Sequence, residues 1–364
     1  MEWLPLILII PYIYIITGIY FSLRKIKPYK PDSSADVPVS VIVACRNEEK
    51  DLPLLLSCLA AQDYNRDQYE VIIIDDGSSD STHDIAAAFT GIWNYKVLNN
   101  PGAGKKSAIK AGIEACRGEL VVTTDADCRM GHLWLKVISA YYSEQKPQMI
   151  TGPVVLQGSK GLFQRFQELE FLSLQGITAG TLNAGNPVMC NGANLSFAKD
   201  AYFKGADQMH PELVSGDDVF LLHAVKQRGD KISWLESGEA VVATVTEPTL
   251  PAFLRQRARW ISKSGAYYDS YTRFLAIVTF VTIFTQLSLL AAGIFNPVFL
   301  LVWLASFIIK SFPDLLILQN RAAFNKKKNL LWFFLPGQFI YPFYVLSVVL
   351  FWLFTRSDYS IRFK

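Results

Sequence analysis

The chain has 364 residues, 51% of them hydrophobic, and 35 Lys and Arg against 32 Asp and Glu leave a formal charge of only +3. That length can bury a sizeable core as two domains or one large one, and so small a charge, with the aromatics concentrated in apolar runs, argues against a nucleic-acid partner. Cys45, Cys58, Cys116, Cys128 and Cys190 show no C-x-x-C spacing, which predicts reduced, unpaired thiols.

From the N-terminus, Trp3 to Leu23 is uncharged and long enough to span a membrane, which needs roughly 20 apolar residues. Its basic residues, Arg24, Lys25, Lys27 and Lys30, follow the apolar run and no small-residue cleavage site does, so residues 1–24 read as an uncleaved anchor rather than a signal peptide. The same charges place the linker 25–37, and with it a domain over 38–250, in the cytoplasm.

Within that domain, Val39 to Ala44, Tyr69 to Ile74, Tyr95 to Leu98 and Glu119 to Thr124 are near-continuous β-branched runs, as expected of strands buried on both faces of a parallel sheet. Glu48 to Gln62, Ser81 to Phe89 and Lys105 to Cys116 carry helical spacing between them. The order β-α-β-α-β-α-β predicts a doubly wound α/β domain with its ligands at the carboxyl ends of the strands. Three polar clusters fall there: Arg46 to Glu49, Asp75 to Asp80, and Asp125-Ala126-Asp127. Any one alone reads as a turn or a helix cap, with Asp80 or Ser81 as the capping residue; packing gives no reason to gather three on one sheet edge.

A carboxylate pair at i and i+2, as in Asp125 and Asp127, can hold one hard divalent cation, Mg²⁺ or Mn²⁺, whose shell is completed by water and phosphate oxygens. Asn100 to Lys106 offers glycine backbone and two lysines to a diphosphate. It lacks the G-x-x-x-x-G-K-[ST] pattern of an ATPase, and no G-x-G-x-x-G follows a strand. Further along, Gly161 to Leu182 reads as an interfacial helix or a core helix. Asp217-Asp218 suits a helix N-terminus, and Arg255, Arg257, Arg259 and Lys263 suit a basic helix over 251–270 on an anionic leaflet.

The remaining apolar sequence, 271–356, opens with Phe274 to Ile309, about 54 Å as one helix, nearly twice a hydrocarbon core; Asn296-Pro297 divides it into two spans. Lys310 and Asp314 are expected to approach the cytoplasmic interface as a local, snorkelling ion pair, with Lys326 to Lys328 cytoplasmic. Leu330 to Phe354 either crosses once or is broken and re-entrant at Pro336, Gly337 and Pro342. A single crossing puts Arg356, Arg362 and Lys364, at and in the tail 357–364, outside, against the positive-inside tendency.

Taken in order, VSVIVACRNEE, IIIDDGSSDST, NPGAGKKSAIKAGI, VVTTDADC, VSGDDVFLL and LRQRARW resemble the membrane-integrated family 2 glycosyltransferases of GT-A fold, over about residues 38–265. The resemblance implies that Asp75 and Asp76 contact the donor's nucleoside, that Glu48 lies near its ribose and Lys105 against the diphosphate, and that Asp125 and Asp127 form the metal-holding D-x-D pair with Cys128 a bystander. It makes Asp218, beside Asp217, the base that deprotonates an acceptor hydroxyl. Gln256, Arg259 and Trp260, as Q-x-x-R-W, would frame the diphosphate and the acceptor end. Asn186 to Asn194 corresponds to the acceptor-pocket stretch and departs from its aromatic-rich version. The expected activity is inverting transfer of a sugar from a nucleotide sugar, a UDP-hexose, to a membrane lipid or growing glycan at the cytoplasmic face of the inner membrane. A processive polysaccharide synthase is the alternative, for which about four spans make a small channel; the intact motifs speak against a silent scaffold.

Overall fold

A computed structural model of the chain describes residues 2–31, 35–158, 161–210, 213 and 216–360, with side chains to residue 355 at the C-terminal end. The first apolar stretch is a 3-10 segment, Leu4–Ile9, running into α1 (Ile10–Leu23). The predicted alternation then follows: β1 (Val39–Cys45), α2 (Leu52–Ala60), β2 (Tyr69–Asp75), α3 (Thr82–Ala88), β3 (Tyr95–Asn99), α4 (Lys105–Ala115) and β4 (Leu120–Thr123). β1 pairs in parallel with β2 and β4, and β2 with β3, so that Val41 lies opposite both Val71 and Val122. Val41, Ile42, Val71 and Ile72 are wholly buried, because helices cover both faces of this half of the sheet.

Beyond β4 the sheet becomes mixed. The chain continues through β5 (Arg129–Met130), α5 (Trp134–Gln145), β6 (Met149–Thr151), β7 (Val154–Gln157), α6 (Leu162–Asn183), β8 (Leu195–Ala198), α7 (Lys199–Lys204), α8 (Asp217–Gln227), β9 (Ile232–Trp234) and β10 (Val242–Val245). β8 runs antiparallel to β4 and β6, giving a seven-stranded order β3-β2-β1-β4-β8-β6-β9. β5, β10 and β7 form a separate three-stranded sheet. Strands of two to four residues carry too little alternation to be read from sequence.

α6 resolves as a buried helix clamped between the α/β domain and the apolar helices. Its Gly176 and Gly180 let other helices close in: a Cβ at Gly180 would lie 2.5 Å from Ile19 Cγ2 and 2.7 Å from the Ile19 carbonyl oxygen of α1. α9 (Leu250–Ser262) follows, capped by Thr249, whose Oγ1 accepts from Ala252 N, and then come α10 (Ser270–Ala292), α11 (Val298–Phe324) and α12 (Phe334–Ser360). Four helices, Leu4–Leu23, Ser270–Ala292, Val298–Phe324 and Lys328–Thr355, are long and apolar enough to cross a membrane. The turn at Asn296-Pro297 is as expected, with Asn296 Oδ1 accepting from Val298 N at 3.1 Å.

Two expectations about the apolar region change. α12 is continuous through Pro342, so the segment is not broken there. Pro336 sits in its first turn, where no backbone donor is lost, and Gly337 packs on Leu169 of α6 instead of opening a turn. Arg362 and Lys364 lie outside the described residues, as does the side chain of Arg356. Lys310 and Asp314 do form their ion pair, Nζ to Oδ2 at 2.6 Å, but they do not snorkel: they are 2% and 7% exposed, near the midpoint of α11. Tyr12 of α1 donates to Asp314 Oδ1 (2.8 Å), Lys310 donates to Gln338 Oε1 of α12 (2.8 Å), and Gln338 Nε2 donates to Asp314 Oδ2 (3.0 Å). With that many partners supplied by other helices, neither charge has to reach for water.

Candidate active site

The loops after β1 and β2 brace each other. Asn47 adopts a left-handed backbone (φ 56°), which lets its Oδ1 accept from Ser79 N at 2.8 Å while its own N–H donates to Ser78 Oγ at 3.0 Å. Asp80 accepts from Thr82 N (3.0 Å) and Glu49 N (3.3 Å), bracing the turn before α3, whose N-cap, Ser81, makes no side-chain capping bond. Asp75 accepts from the backbone and hydroxyl of Ser78. Asp76 accepts from Asn100 Nδ2 (2.6 Å) and Gly104 N (2.8 Å), which folds the Asn100 to Lys105 turn. Gly104, at φ 85°, can then start α4 and deliver Lys105 to the strand ends. Asp75 and Asp76 thus hold the loops that shape the site, and neither lines its cavity.

That cavity, about 550 Å³, gathers Glu48, Lys105, Asp125, Asp127, Asp217, Asp218, Gln256, Arg259 and Trp260 from segments far apart in the chain. Phe171 and Leu174 of α6, with Leu156 and Met189, add an apolar lining. Negative charge is crowded at the D-x-D end. Burial, then the charges of Asp127, Asp51 and Asp125, pushes the Glu48 carboxyl up to about 7. Burial followed by Asp125 also raises Asp127, against a hydrogen bond from Thr244 Oγ1 at 2.7 Å. Lys105 answers part of this by pairing with Asp125; burial, which disfavours its ammonium, is outweighed by Asp125 and Asp217, and its pKa is raised.

Among the described residues no three His, Cys, Asp or Glu side chains group as a closed metal cage. Two carboxylates with room beside them fit a hard divalent ion that takes its other ligands from water and a diphosphate, and the Lys105 ammonium already shows a cation held at Asp125. Cys128 is fully buried, and burial pushes its thiol far above the usual range, an unreactive neighbour.

The second acidic pair opens α8. Gly216 has φ 98°, and a Cβ there would meet the Phe220 ring at 2.8 Å and Lys263 Cδ at 2.9 Å, so glycine alone fits. Asp218 accepts from Val219 N (2.8 Å) and Gly192 N (3.2 Å), with Lys263 Nζ at 3.5 Å. Burial raises its pKa, but Lys263, Lys105 and these N–H groups outweigh burial and hold it below the usual range. Asp217 goes the other way: burial, with the Asp218 charge added, exceeds the pull of Lys105. Two adjacent carboxyls therefore differ, Asp218 being the ionised acceptor.

On α9, Gln256 is engaged at both ends, donating to Glu247 Oε1 (2.8 Å) and accepting from Arg257. Arg259 is exposed, lines the cavity and makes no ion pair among the described residues. Trp260 lies 4.0 Å from the Arg257 guanidinium. Sequence reasoning missed Thr244, Glu247 and the burial of Arg257, and took Lys263 only as part of a basic face. Thr244 sits in a four-residue strand with no signal of its own; a tryptophan three residues after Arg257 was the available hint of stacking.

Residues 40–203 match the family model described as Glycosyl transferase family 2. An undecaprenyl-phosphate 4-deoxy-4-formamido-L-arabinose transferase of Aeromonas hydrophila subsp. hydrophila is 47% identical over 93 residues, 24% of this chain and 28% of that protein. Glycosyltransferase AglE of Haloferax volcanii is 33% identical over 100 residues, 27% of this chain and 33% of that protein. The matched segments thus span about a third or less of these relatives. A mannosyltransferase, PcManGT, from Pyrobaculum calidifontis, solved in complex with GDP-Man and Mn²⁺, aligns with 97% of this chain and 99% of its own at 17% identity and a TM-score of 0.58, a likeness of fold. Residues 40–203 are thus similar to the Glycosyl transferase family 2 model, the parallel β1–β4 core with its mixed extension shares the fold of that mannosyltransferase, and four helices long and apolar enough to cross a membrane flank the segment.

Proposed function

We propose that the chain moves a sugar from a nucleoside diphosphate sugar, a UDP-hexose, to a membrane lipid or lipid-linked glycan at the cytoplasmic face of the inner membrane, with inversion at the anomeric carbon. The observation that carries this is the single cavity holding the D-x-D pair, Lys105, Arg259 and Asp218, walled by α6, which itself packs on α1 and α11. Lys105 and Arg259 are cations suited to the two phosphates, with Glu48 towards the nucleoside and Asp75 and Asp76 holding the loops beside it. Asp125 and Asp127 would hold Mg²⁺ or Mn²⁺, which supplies positive charge to the departing diphosphate when bound. The acceptor oxygen attacks the anomeric carbon, its proton passes to the Asp218 carboxylate, and the bond to the diphosphate oxygen breaks. Lys327 supports the cytoplasmic orientation: this residue of the basic run after α11 reaches back to the Leu156 carbonyl and Glu168 of the domain side.

A second reading replaces the acceptor hydroxyl by a lipid phosphate, on the strength of the relatives' names; such a nucleophile is already ionised near neutral pH and needs no base. Membranes containing the chain, incubated with labelled nucleotide sugars and Mg²⁺ or Mn²⁺, should yield a labelled lipid identifiable by mass spectrometry, and chelation should remove it. Asp127→Asn and Asp218→Asn are expected to lower transfer by about 10²-fold or more with the fold intact. Activity retained in both variants sinks the mechanism. Loss in Asp127→Asn alone, with a product labile to mild acid, selects the lipid phosphate.

A further inference from the structure

Arg257 is 4% exposed, and Glu170 of α6, at 9%, is its counter-ion: Arg257 Nη2 donates to Glu170 Oε2 at 2.6 Å and Nε to Oε1 at 3.3 Å. Tyr344 of α12 donates its hydroxyl to the same Glu170 Oε1 at 3.2 Å and stacks on Phe253 of α9, with ring centroids 5.3 Å apart. The Arg257 guanidinium is thereby fixed between the Phe253 and Trp260 rings, 4.5 and 4.0 Å from their centroids, and donates to Gln256. Trp260 and Gln256 both line the cavity. Removing two charges from water is costly, and an apolar set of similar volume would pack α9 on α12 as well. What the charged set adds is direction: a bidentate guanidinium has one orientation, and a ring stacked on it shares that orientation.

We propose that Glu170 and Tyr344 are positioning residues that fix Arg257, and through it Trp260 and Gln256, so that the last apolar helix sets the geometry of the acceptor wall. The inference rests on the sugar-transfer reading above. α12 also carries Gln338 and Tyr341, which meet Lys310 of α11, so the same helix ties this wall to the buried polar cluster reaching Tyr12 of α1.

The test uses the full chain in detergent, a labelled UDP-hexose, and vesicles of total membrane lipid from the expressing cells as acceptor. Tyr344→Phe keeps the stacked ring and removes one hydroxyl; Glu170→Gln keeps the shape and removes the counter-charge. Both should raise the apparent KM for the lipid vesicles on the order of tenfold, with a clearly smaller change in the KM for the nucleotide sugar and with stabilisation by Mn²⁺ and UDP retained. Trp260 emission, taken as the difference from Trp260→Phe, should shift in both, because the cation leaves the indole face. Unchanged vesicle KM and unchanged Trp260 emission overturn the inference. So does a Tyr344→Phe that lowers the melting temperature and both KM-dependent rates together, the behaviour of a packing residue. A wild-type chain that transfers no sugar defeats the functional reading instead, and the Trp260 emission then decides the positioning on its own.

Discussion

At the scale of single residues, the site is marked by carboxyls whose pKa values folding has moved apart. Glu48 rises from about 4.5 to about 7 through burial and the charges of Asp127, Asp51 and Asp125. The unfolded chain gives up that proton near pH 4.5 and the folded chain near pH 7. Between those values the folded state holds the extra proton, so stability falls as pH rises through the window and is flat above it. The raised Asp127 acts in the same direction. The melting temperature of the metal-free protein should therefore decline between about pH 5 and pH 7, and Glu48→Gln should flatten the decline; an unaltered slope would assign it to other groups. The carboxylates themselves were legible, since Asp125, Asp127, Asp217 and Asp218 stand at strand or helix ends where charge is conspicuous. Their partners were not. Thr244, Lys263 and Gly192 reach them across roughly 117, 45 and 26 residues of chain, and no local pattern announces such a pairing.

At the scale of elements, α6 is the joint between the α/β domain and the apolar helices, and glycine is what lets it serve. A methyl at Gly180 meets the Ile19 carbonyl oxygen at 2.7 Å, an atom of the α1 backbone that cannot rotate away. Alanine is the better helix former by roughly 0.5–1 kcal/mol, yet overpacking against fixed backbone costs about 1–3 kcal/mol, so the clash prevails. Gly180→Ala should lower the melting temperature in detergent; a rise would show that α1 can yield. α6 was ambiguous in sequence because Glu168 and Glu170 suit either a wet interface or a buried helix with counter-ions. Lys327 and Arg257 supply those counter-ions from 159 and 87 residues away and settle the matter. α12 was ambiguous for a similar reason: Pro336, Gly337 and Pro342 permit a break, and only packing against α9 and α6 decides that the helix continues.

At the scale of the whole molecule, buried ion pairs fasten the α/β domain to the apolar helices. Arg321 of α11 donates to Glu236, beyond β9, at 2.6 and 2.9 Å, with the two side chains 3% and 6% exposed. Arg321→Met leaves Glu236 buried without its counter-charge and should cost about 3–5 kcal/mol, while the double variant with Glu236→Gln should recover much of that loss. Melting curves in detergent check the cycle, and losses that simply add would mean the two side chains do not act as a pair. By itself the sequence determined the β-α alternation, the apolar segments before α12 and the acidic motifs at the strand ends. Each is written in a local period, a local length or a local charge. Tertiary structure alone decided that β6, β8 and β9 extend the sheet in mixed directions, that Lys310 and Asp314 are buried among three helices, and that Glu170, Arg257 and Tyr344 join α9 to the last apolar helix. Those are contacts between residues distant in the chain, formed because a buried charge or a short strand is stable only beside the one partner that satisfies it.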